Sequence, residues 1–185
     1  MNILSLLLIS LSTLLGSYQE PSYIETTNIA ICSPSSVKTY MDYKKITNKA
    51  SIQYRYIQDN MVVRYDGHLI DEEDYIGVAL GSYFGKIGTR YIITLSSGQQ
   101  LKVIKVEAKD DKHTFKGCQQ RWDKSVIEFV VDVDKAGKYY GIASNGYVNS
   151  GNFNNLDQFK GNIIKIEEVR RWRKIKFYIW EFKKN

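Results

Sequence analysis

Side chains suited to acid–base chemistry gather between positions 107 and 128. The segment VEAKDDKHT supplies the carboxylates of Glu107 and Asp111 and the imidazole of His113. The later segment SVIEFVV places one carboxylate, Glu128, among five large apolar side chains. Two carboxylates in one cleft push their pKa values apart, so that one can act as an acid and the other as a base. A barrel could bring the end of the strand at 101–106 beside the strand at 126–131, which would make Glu128 with Glu107 or Asp111 a candidate acid–base site.

The surroundings of Glu128 leave its use open. Side chains alternate between the faces of a strand, so Glu128 shares one apolar face with Val126 and Val130, while the opposite face is apolar as well. Burial would raise the pKa of this carboxyl group and suit it to general-acid catalysis. Glu128 could instead accept hydrogen bonds from loop amides or face water, with Asp111 and His113 as ordinary solvated loop residues.

Several common functional sites are absent from the sequence. There is no GxxxxGK[ST] phosphate loop, no GxGxxG fingerprint and no GxSxG nucleophile turn. The histidines are His68 and His113, and neither HExxH nor CxxC occurs, so we expect no metal and no cofactor. A net charge of +6 with 14 Tyr, 7 Phe and 3 Trp suits binding to nucleic acid, anionic membrane or wall polymer.

The elements that must position these residues are mostly short strands. The clearest is a hairpin in which GTRYIITL and QLKVIKV are joined by the turn SSG at 96–98. Turns recur roughly every 8–12 residues, which is typical of a small barrel or sandwich. Further strands are predicted on either side of the Asp-Gly turn in MVVRYDGHLID, at 76–80, at 126–131, and in IIKIEEV and KIKFYIWEF.

The remaining segments are predicted to be less regular. Residues 18–37 read as a linker, and a short helix is predicted to begin near Thr47 or Asn48, both good N-caps, although an alternating strand at 51–57 is also possible. The Gly- and Asn-rich residues 134–162 are predicted to be mostly loop. Cys32 and Cys118 could pair in an oxidising compartment or stay as free thiols.

The N-terminus carries an uncharged apolar run at residues 3–15. A membrane span needs about 20 such residues, so the run predicts the core of a signal peptide, with Gly16 and Ser17 near a cleavage site. A membrane anchor or a buried strand is the alternative. We therefore expect export, with any membrane contact confined to this segment, and because an exported protein rarely meets nucleic acid, wall polymer is the favoured partner.

A family resemblance runs through the stretch from VALG at 78–81 to VIEFVV at 126–131. With KIGTRYIITL at 86–95 and VEAKDDKHT at 106–114 between them, these elements resemble the three-aspartate (3D) domain of the double-psi β-barrel group. That group includes lytic transglycosylase A and rare lipoprotein A-like proteins. The chain is also similar to small exported proteins of Gram-positive bacteria and their phages, on the segment MDYKKITNKASIQY at 41–54.

The resemblance implies a function as well as a fold. In the transglycosylase branch the last acidic residue is the catalytic acid and base, and here that position is Glu128. Glu107 or Asp111 takes the middle acidic position, while the first is Gly81 and the family's Thr-Gly-Gly is missing. We expect the substrate to be contacted by His113, Thr114 and Tyr83.

These expectations combine into one prediction with a rival. The predicted fold is mostly β, a six-stranded double-psi-like β-barrel with a short helical or irregular N-terminal lead-in. The predicted function is cleavage of peptidoglycan glycan, and the rival is a non-catalytic barrel that binds wall glycan or a protein, within a phage or mobile element. The predicted segments are 1–17 (signal peptide or anchor), 18–59 (linker and short helix), 60–170 (barrel) and 171–185 (basic C-terminal strand).

Overall fold

Strands dominate the part of the chain that the computed structural model describes, namely residues 25–29, 32, 34–141 and 150–170. The strands there are β1 (Glu25–Ile29), β2 (Thr39–Asp42), β3 (Val62–Val63), β4 (Leu69–Ile70), β5 (Ile76–Leu80), β6 (Arg90–Leu95), β7 (Gln100–Ala108), β8 (Thr114–Phe115), β9 (Gln119–Gln120), β10 (Glu128–Val131), β11 (Ser150–Asn152) and β12 (Ile163–Arg170). The α-helices are α1 (Ile52–Asn60) and α2 (Val133–Tyr140). The protein is therefore mostly β, as predicted. The segments predicted at 1–17 and 171–185 lie outside the described residues.

One mixed sheet contains most of these strands. Its order is β1-β12-β6-β7-β5-β10-β2-β11, with β3 and β4 attached beside β5, while β8 and β9 form a separate hairpin. The central strand β5 pairs parallel with β7 and antiparallel with β10, and β10 pairs parallel with β2. Within the described ranges this strand path runs from β1 to β11 without closing.

Apolar side chains pack on both faces of this sheet. One cluster lies on the face that carries Val78 and Phe129, and it includes the aromatic rings of Phe84, Phe153 and Phe159. The other cluster lies on the face that carries Ala79, Ile104 and Val130, and it is covered by α1 through the buried Ile57. β5 and β10 are consequently buried on both faces, and for β10 this confirms the prediction from the two-sided apolar pattern of SVIEFVV.

Several strand predictions are confirmed. The predicted hairpin is the antiparallel pair β6–β7, and the Asp-Gly turn joins the antiparallel strands β3 and β4. β5 has the predicted bounds, whereas β10 begins at Glu128 rather than at Val126. Glu128 therefore stands at the first position of its strand, half-buried, rather than in the middle of a buried one.

The helix predictions need correction. Helix α1 begins at Ile52 because the Ser51 Oγ accepts a hydrogen bond from the Tyr54 backbone N–H at 3.1 Å, so neither Thr47 nor Asn48 is the cap and the alternative strand at 51–57 is wrong. The segment predicted as loop contains α2, which is capped by Asp132 through the Lys135 N–H at 3.1 Å. The predicted linker contains β1, which is held by its partner β12.

The two cysteines form a disulfide. Cys32 lies in the lead-in between β1 and β2, and Cys118 lies in the turn between β8 and β9, with 6.3 Å between their Cα atoms. The bond joins positions 86 residues apart in the sequence. It therefore links the segment between β1 and β2 covalently to the segment between β7 and β10 (residues 109–127), which contains the β8–β9 hairpin.

Candidate functional site

Two of the predicted carboxylates flank the central strand. Ala79 of β5 has Glu107 of β7 as its partner on one side and Glu128 of β10 on the other. Residues opposite each other in neighbouring strands point to the same face of a sheet. Strands lie about 4.8 Å apart, so the two glutamate Cα atoms are separated by about 10 Å across the small Ala79. The sheet thus brings Glu107, rather than Asp111, beside Glu128.

An irregularity in the β5–β7 pairing sets this register. Val78 is opposite Lys105, but the next residue, Ala79, is opposite Glu107, so Val106 is extra on β7. Such a bulge inserts one residue and re-aims the side chains that follow it, and bulges are common beside functional sites. Here the extra residue lets Glu107 reach the face that Glu128 occupies.

The carboxyl group of Glu107 is half-buried beneath the start of α1. Its Oε1 accepts hydrogen bonds from the Ala108 backbone N–H at 2.7 Å and from the Gln53 side-chain Nε2 at 3.2 Å. Burial raises the pKa of Glu107 above its ordinary value, although the hydrogen bonds from Ala108 and Gln53 act in the opposite direction, and the charge of Glu128 adds to the increase. Glu107 therefore has the property expected of a general acid.

Glu128 has different surroundings. Among the described residues, no donor lies within hydrogen-bonding distance of its carboxylate, but the ammonium group of Lys109 attracts it. The Lys109 Nζ is held at 3.0 Å from the Ser125 Oγ. Burial lowers the pKa of Lys109, and the charges of Glu128 and Asp123 oppose that decrease. No hydrogen bond or ion pair joins Lys109 to Glu128 in the described part of the chain, so this attraction acts without direct contact.

The row of partners continues from Glu128 to Thr39 of β2. The Thr39 hydroxyl is buried and has no hydrogen-bond partner in the described part of the chain. A buried polar atom without a partner is rare and usually needs a functional or structural reason. Thr39, Glu128, Ala79 and Glu107 therefore form one row across four strands, which we call the carboxylate row.

Lys105 links the carboxylate row to the other predicted site residues. Its buried Nζ donates hydrogen bonds to the carbonyl oxygens of Gly81 at 2.8 Å and Gly85 at 2.7 Å. Burial lowers the pKa of Lys105, and the negative charges of Asp111 and Glu107 oppose that change. Lys105 is therefore close enough to both carboxylates to interact with each of them.

The remaining predicted site residues lie in the segment between β7 and β10 (residues 109–127) and in the short turn of 3-10 helix at Ser82–Phe84. Asp111 is exposed, and its Oδ1 accepts a hydrogen bond from the Ser82 Oγ at 2.7 Å. Tyr83 is 46% exposed, and its N–H donates to the Gly117 carbonyl at 3.0 Å. His113 is exposed near Trp122, whereas Thr114 is fully buried, so its hydroxyl faces protein rather than solvent. These residues adjoin one another but are not part of the carboxylate row.

A separate cleft lies between the segment after β2 and helix α1. Its volume is about 380 Å³, and it contains no predicted site residue. The lining combines two lysines, two tyrosines, two isoleucines and two further polar residues: Tyr43, Lys44, Ile46, Thr47, Lys49, Tyr54, Ile57 and Gln58. Across the described ranges, no cluster of three or more His, Cys, Asp or Glu residues could hold a metal ion.

Sequence reasoning missed four members of the site: Thr39, Gln53, Lys105 and Lys109. Lys105 and Lys109 have a visible signal, because Lys105 lies between apolar residues near the end of β7 and Lys109 follows directly after this strand, so that the two lysines bracket Glu107 in the sequence. Thr39 and Gln53 have none, since they reach the site from β2 and α1, far from it along the chain. The site therefore needed the tertiary structure to be complete.

Comparisons with known proteins do not assign the chain to a family. No protein-family model, curated protein or solved structure matches it. Within the described ranges, none of the helices has the length and apolar character that crossing a bilayer requires.

Proposed function

We propose that the protein cleaves the glycan strand of peptidoglycan in the manner of a lytic transglycosylase, with Glu107 and Glu128 as its reactive carboxylates. The observation that carries the proposal is their position on one face of the sheet, on either side of Ala79. Two glutamate side chains on Cα atoms about 10 Å apart can bring their carboxyl groups within the range of about 5–9.5 Å used by glycosidases.

The proposed reaction needs only acid and base. A protonated carboxyl group donates its proton to the glycosidic oxygen as the bond from that oxygen to the sugar C1 breaks. The 6-hydroxyl of the same sugar then attacks C1, and an ionised carboxylate takes the hydroxyl proton. The product carries a 1,6-anhydro end, whereas attack by water would produce a reducing end.

A double-psi-like barrel is the finer fold that we propose. Six strands, β12, β6, β7, β5, β10 and β2, lie between the edge strands β1 and β11. The two ends of this set approach each other, because the Ile163 N–H donates to the Ser35 carbonyl at 2.9 Å and the Lys38 Nζ donates to the Gly161 carbonyl at 2.6 Å. These bonds join the lead-in of β2 to the start of β12, and they support a barrel-like arrangement in which the two ends lie close together without a strand pairing between them in the described ranges.

Export to the cell wall is part of the same proposal. The Cys32–Cys118 disulfide supports it, because such bonds persist in oxidising compartments. The expected partner is peptidoglycan or another wall glycan, and membrane contact would come through the N-terminal segment. We expect the secreted protein to contain this disulfide, so that a thiol assay of a denatured sample detects no free cysteine.

The alternative is a non-catalytic module that binds wall glycan or a protein. Gly81 favours it, because a Cβ atom there would lie 1.9 Å from the Gly117 carbonyl oxygen, so the first acidic residue of the three-aspartate pattern has no room. The cleft lined by Lys44, Lys49 and Tyr54 also offers a binding surface away from the carboxylates.

Digestion of purified peptidoglycan distinguishes the two functions. The full chain is incubated with peptidoglycan and the products are analysed by mass spectrometry, beside Glu107→Gln and Glu128→Gln. Glu72→Gln is the matched control, since Glu72 is an exposed residue outside the site. The wild type and the control are expected to release products with anhydro ends. In both site variants the amount of these products should be at least about 100-fold lower. Binding to peptidoglycan without any product would identify the non-catalytic module.

A further inference from the structure

Three exposed aromatic rings lie at the edge of the sheet nearest the carboxylate row. The exposed fraction is 72% for Trp122, 54% for Phe115 and 46% for Tyr83. We propose that these rings form a stacking surface for the sugar rings of the glycan strand and guide that strand to Glu107 and Glu128. The inference rests on the proposed function for its choice of glycan, and it adds the residues that bind the substrate.

The topology places this aromatic surface beside the two carboxylates. β5 and β7 are parallel and β10 is antiparallel to β5, so the ends of β5 and β7 and the start of β10 lie at one edge of the sheet. Tyr83 follows closely after β5, whereas Phe115 and Trp122 belong to residues 109–127, which leave the end of β7 and return at Glu128. A glycan bound on the rings would therefore lie close to the carboxylate row.

The Trp122 ring is held in place although most of its surface is exposed. With the side-chain amide of Gln120 oriented to satisfy both of its neighbours, the Gln120 Oε1 accepts a hydrogen bond from the Trp122 Nε1 at 3.1 Å, and the Gln120 Nε2 donates to the His113 carbonyl at 3.0 Å. The centroid of the His113 ring lies 5.9 Å from that of the indole. A large exposed ring with a fixed orientation loses little conformational entropy on binding, which favours a role in recognition.

The two segments that carry the rings are also joined to each other. The Tyr83 N–H donates to the Gly117 carbonyl at 3.0 Å, and the Ser82 Oγ donates to the Asp111 Oδ1 at 2.7 Å. A Cβ atom on Gly117 would lie 2.2 Å from the Ser82 Oγ, so the two segments approach more closely than a side chain would allow. The disulfide of Cys118 links the same hairpin covalently to the segment before β2. The relative position of the segments is therefore set before a ligand binds.

The polar groups around the rings favour a glycan over a nucleic acid or a protein. The exposed ionised side chains of residues 109–127 are nearly balanced in charge: Lys112, Lys116, Arg121 and Lys124 with Asp110, Asp111 and Asp123. A nucleic-acid site needs a clear excess of cations along the phosphate backbone. Polar neighbours also separate the rings, since His113 lies beside Trp122 and the Lys116 ammonium lies 5.5 Å from the centroid of the Phe115 ring. Rings interleaved with polar groups suit the apolar faces and hydroxyl edges of sugars, whereas a protein-binding patch has an apolar centre.

Binding to a soluble glycan tests the aromatic surface. The probe is a peptide-free tetrasaccharide of the peptidoglycan backbone, and the parent protein is the full chain with Glu107→Gln, so that the probe is not cleaved. Calorimetry compares this parent with the same chain carrying Trp122→Ala, Trp122→Tyr or Phe115→Ala. We expect Kd to rise about 10-fold in Trp122→Ala and about 5-fold in Phe115→Ala, because loss of an aromatic stacking partner commonly weakens binding by a factor of this order. Trp122→Tyr keeps a ring and should stay near the parent value.

The matched control is Tyr65→Ala, since Tyr65 is 73% exposed but lies in the turn between β3 and β4. That turn lies at the other end of β10, because its Gly67 carbonyl accepts a hydrogen bond from the Asp132 N–H at 2.7 Å. The Kd of this variant should equal that of the parent. A parent that does not bind, or a Trp122→Ala variant that binds as tightly as the parent, would overturn the proposal. Tighter binding of single-stranded DNA than of the tetrasaccharide, with a steep loss on addition of salt, would overturn it as well.

Cleavage of soluble glycan strands separates this proposal from the proposed function. In the chain with both glutamates, Trp122→Ala should raise KM about 10-fold with little change in kcat, because the ring binds sugar without touching the reacting bond. Cleavage with an unchanged KM would overturn the aromatic surface and leave the proposed function in place. Binding that depends on Trp122, without cleavage by the wild type, would overturn the proposed function and support the aromatic surface as part of a non-catalytic module.

Discussion

Asp66 and Glu107 are both carboxylates withdrawn from water, yet their surroundings change their pKa values in opposite directions. Burial would raise the pKa of Asp66, but the hydrogen bonds from His68 and Arg64 outweigh it and hold the pKa far below its ordinary value. The guanidinium of Arg64 binds Asp66 through two bonds, of 3.0 and 2.7 Å. Glu107 accepts hydrogen bonds from neutral donors only, the Ala108 N–H and the Gln53 amide, faces the like charge of Glu128, and has a raised pKa.

The contrast distinguishes a structural charge from a reactive one. In the turn between β3 and β4, the Asp66 Oδ1 accepts a hydrogen bond from the His68 backbone N–H at 3.2 Å. The His68 ring beside it is fully buried among the aromatic rings of Phe129, Phe153 and Phe159. Carboxylates that are fully paired stabilise a fold, whereas carboxylates left beside a like charge are typical of catalytic sites. Variants of Asp66 are therefore expected to change stability, and variants of Glu107 to change reactivity.

The largest effect on stability is expected in the paired region. Asp66→Asn removes the charge that Arg64 and His68 share and leaves the guanidinium without its bidentate partner. Breaking a buried ion pair costs about 3 kcal/mol or more. Urea unfolding at pH 7 should therefore show a decrease of that size in the free energy of unfolding.

The matched control is Asp59→Asn, which changes an exposed aspartate at the end of α1. A substitution of this kind is expected to change stability by less than about 0.5 kcal/mol. Equal losses in the two variants would contradict the idea that Asp66 is a structural charge.

A smaller effect of opposite sign is expected at the carboxylate row. Glu107→Gln removes a half-buried charge and its repulsion of Glu128, so at pH 7 the variant should be more stable than the wild type by about 1 kcal/mol, as often observed when a reactive group is removed. Its loss of activity should therefore not come from unfolding. Thermal unfolding beside the cleavage assay checks both statements.

Asp66 and Glu107 should also change the pH dependence of the free energy of unfolding in opposite directions. The raised pKa of Glu107 contributes stability below its ordinary value of 4.5, and that contribution is lost as the pH rises through the folded-state pKa. The lowered pKa of Asp66 contributes stability above its ordinary value of 3.8, which is lost as the pH falls below that value. The stability advantage of Glu107→Gln should therefore grow as the pH rises above 4.5. A stability advantage of Glu107→Gln that shrinks with rising pH would contradict a raised pKa for Glu107.

The smallest effect is expected at Thr39, where the carboxylate row ends in a buried hydroxyl without a partner. Thr39→Val keeps the shape and removes the unbonded oxygen, so it should stabilise the protein by about 1 kcal/mol. Thr89→Val is the control, since the Thr89 hydroxyl interacts with Tyr91 and its loss should not stabilise. Denaturant unfolding of both variants measures the difference. A destabilised Thr39→Val would mean that the hydroxyl has a role in the fold.

Local sequence patterns predicted the parts of the fold that depend on neighbours in the chain. The β6–β7 hairpin and the strand β5 were confirmed because alternation and turn residues are local signals. Helix α2 was missed because Gly137 lowers helix propensity, and the helix is stabilised by packing instead. Its Ala136 lies so close to the Asp-Gly turn that a Cβ on Gly67 would be 2.4 Å from the Ala136 backbone nitrogen.

The same distinction between local signals and tertiary contacts applies to the candidate site. The sequence by itself determined that carboxylates at 107 and 128 stand beside apolar strands, because residue type and alternation are written in the chain. It could not decide between Glu107 and Asp111 as the partner of Glu128. The tertiary structure decided this through the extra residue Val106 in β7, and it brought in Thr39 and Gln53 from distant segments. The physical reason is that strand register and helix packing arise from contacts between residues far apart in sequence, which a local pattern does not contain.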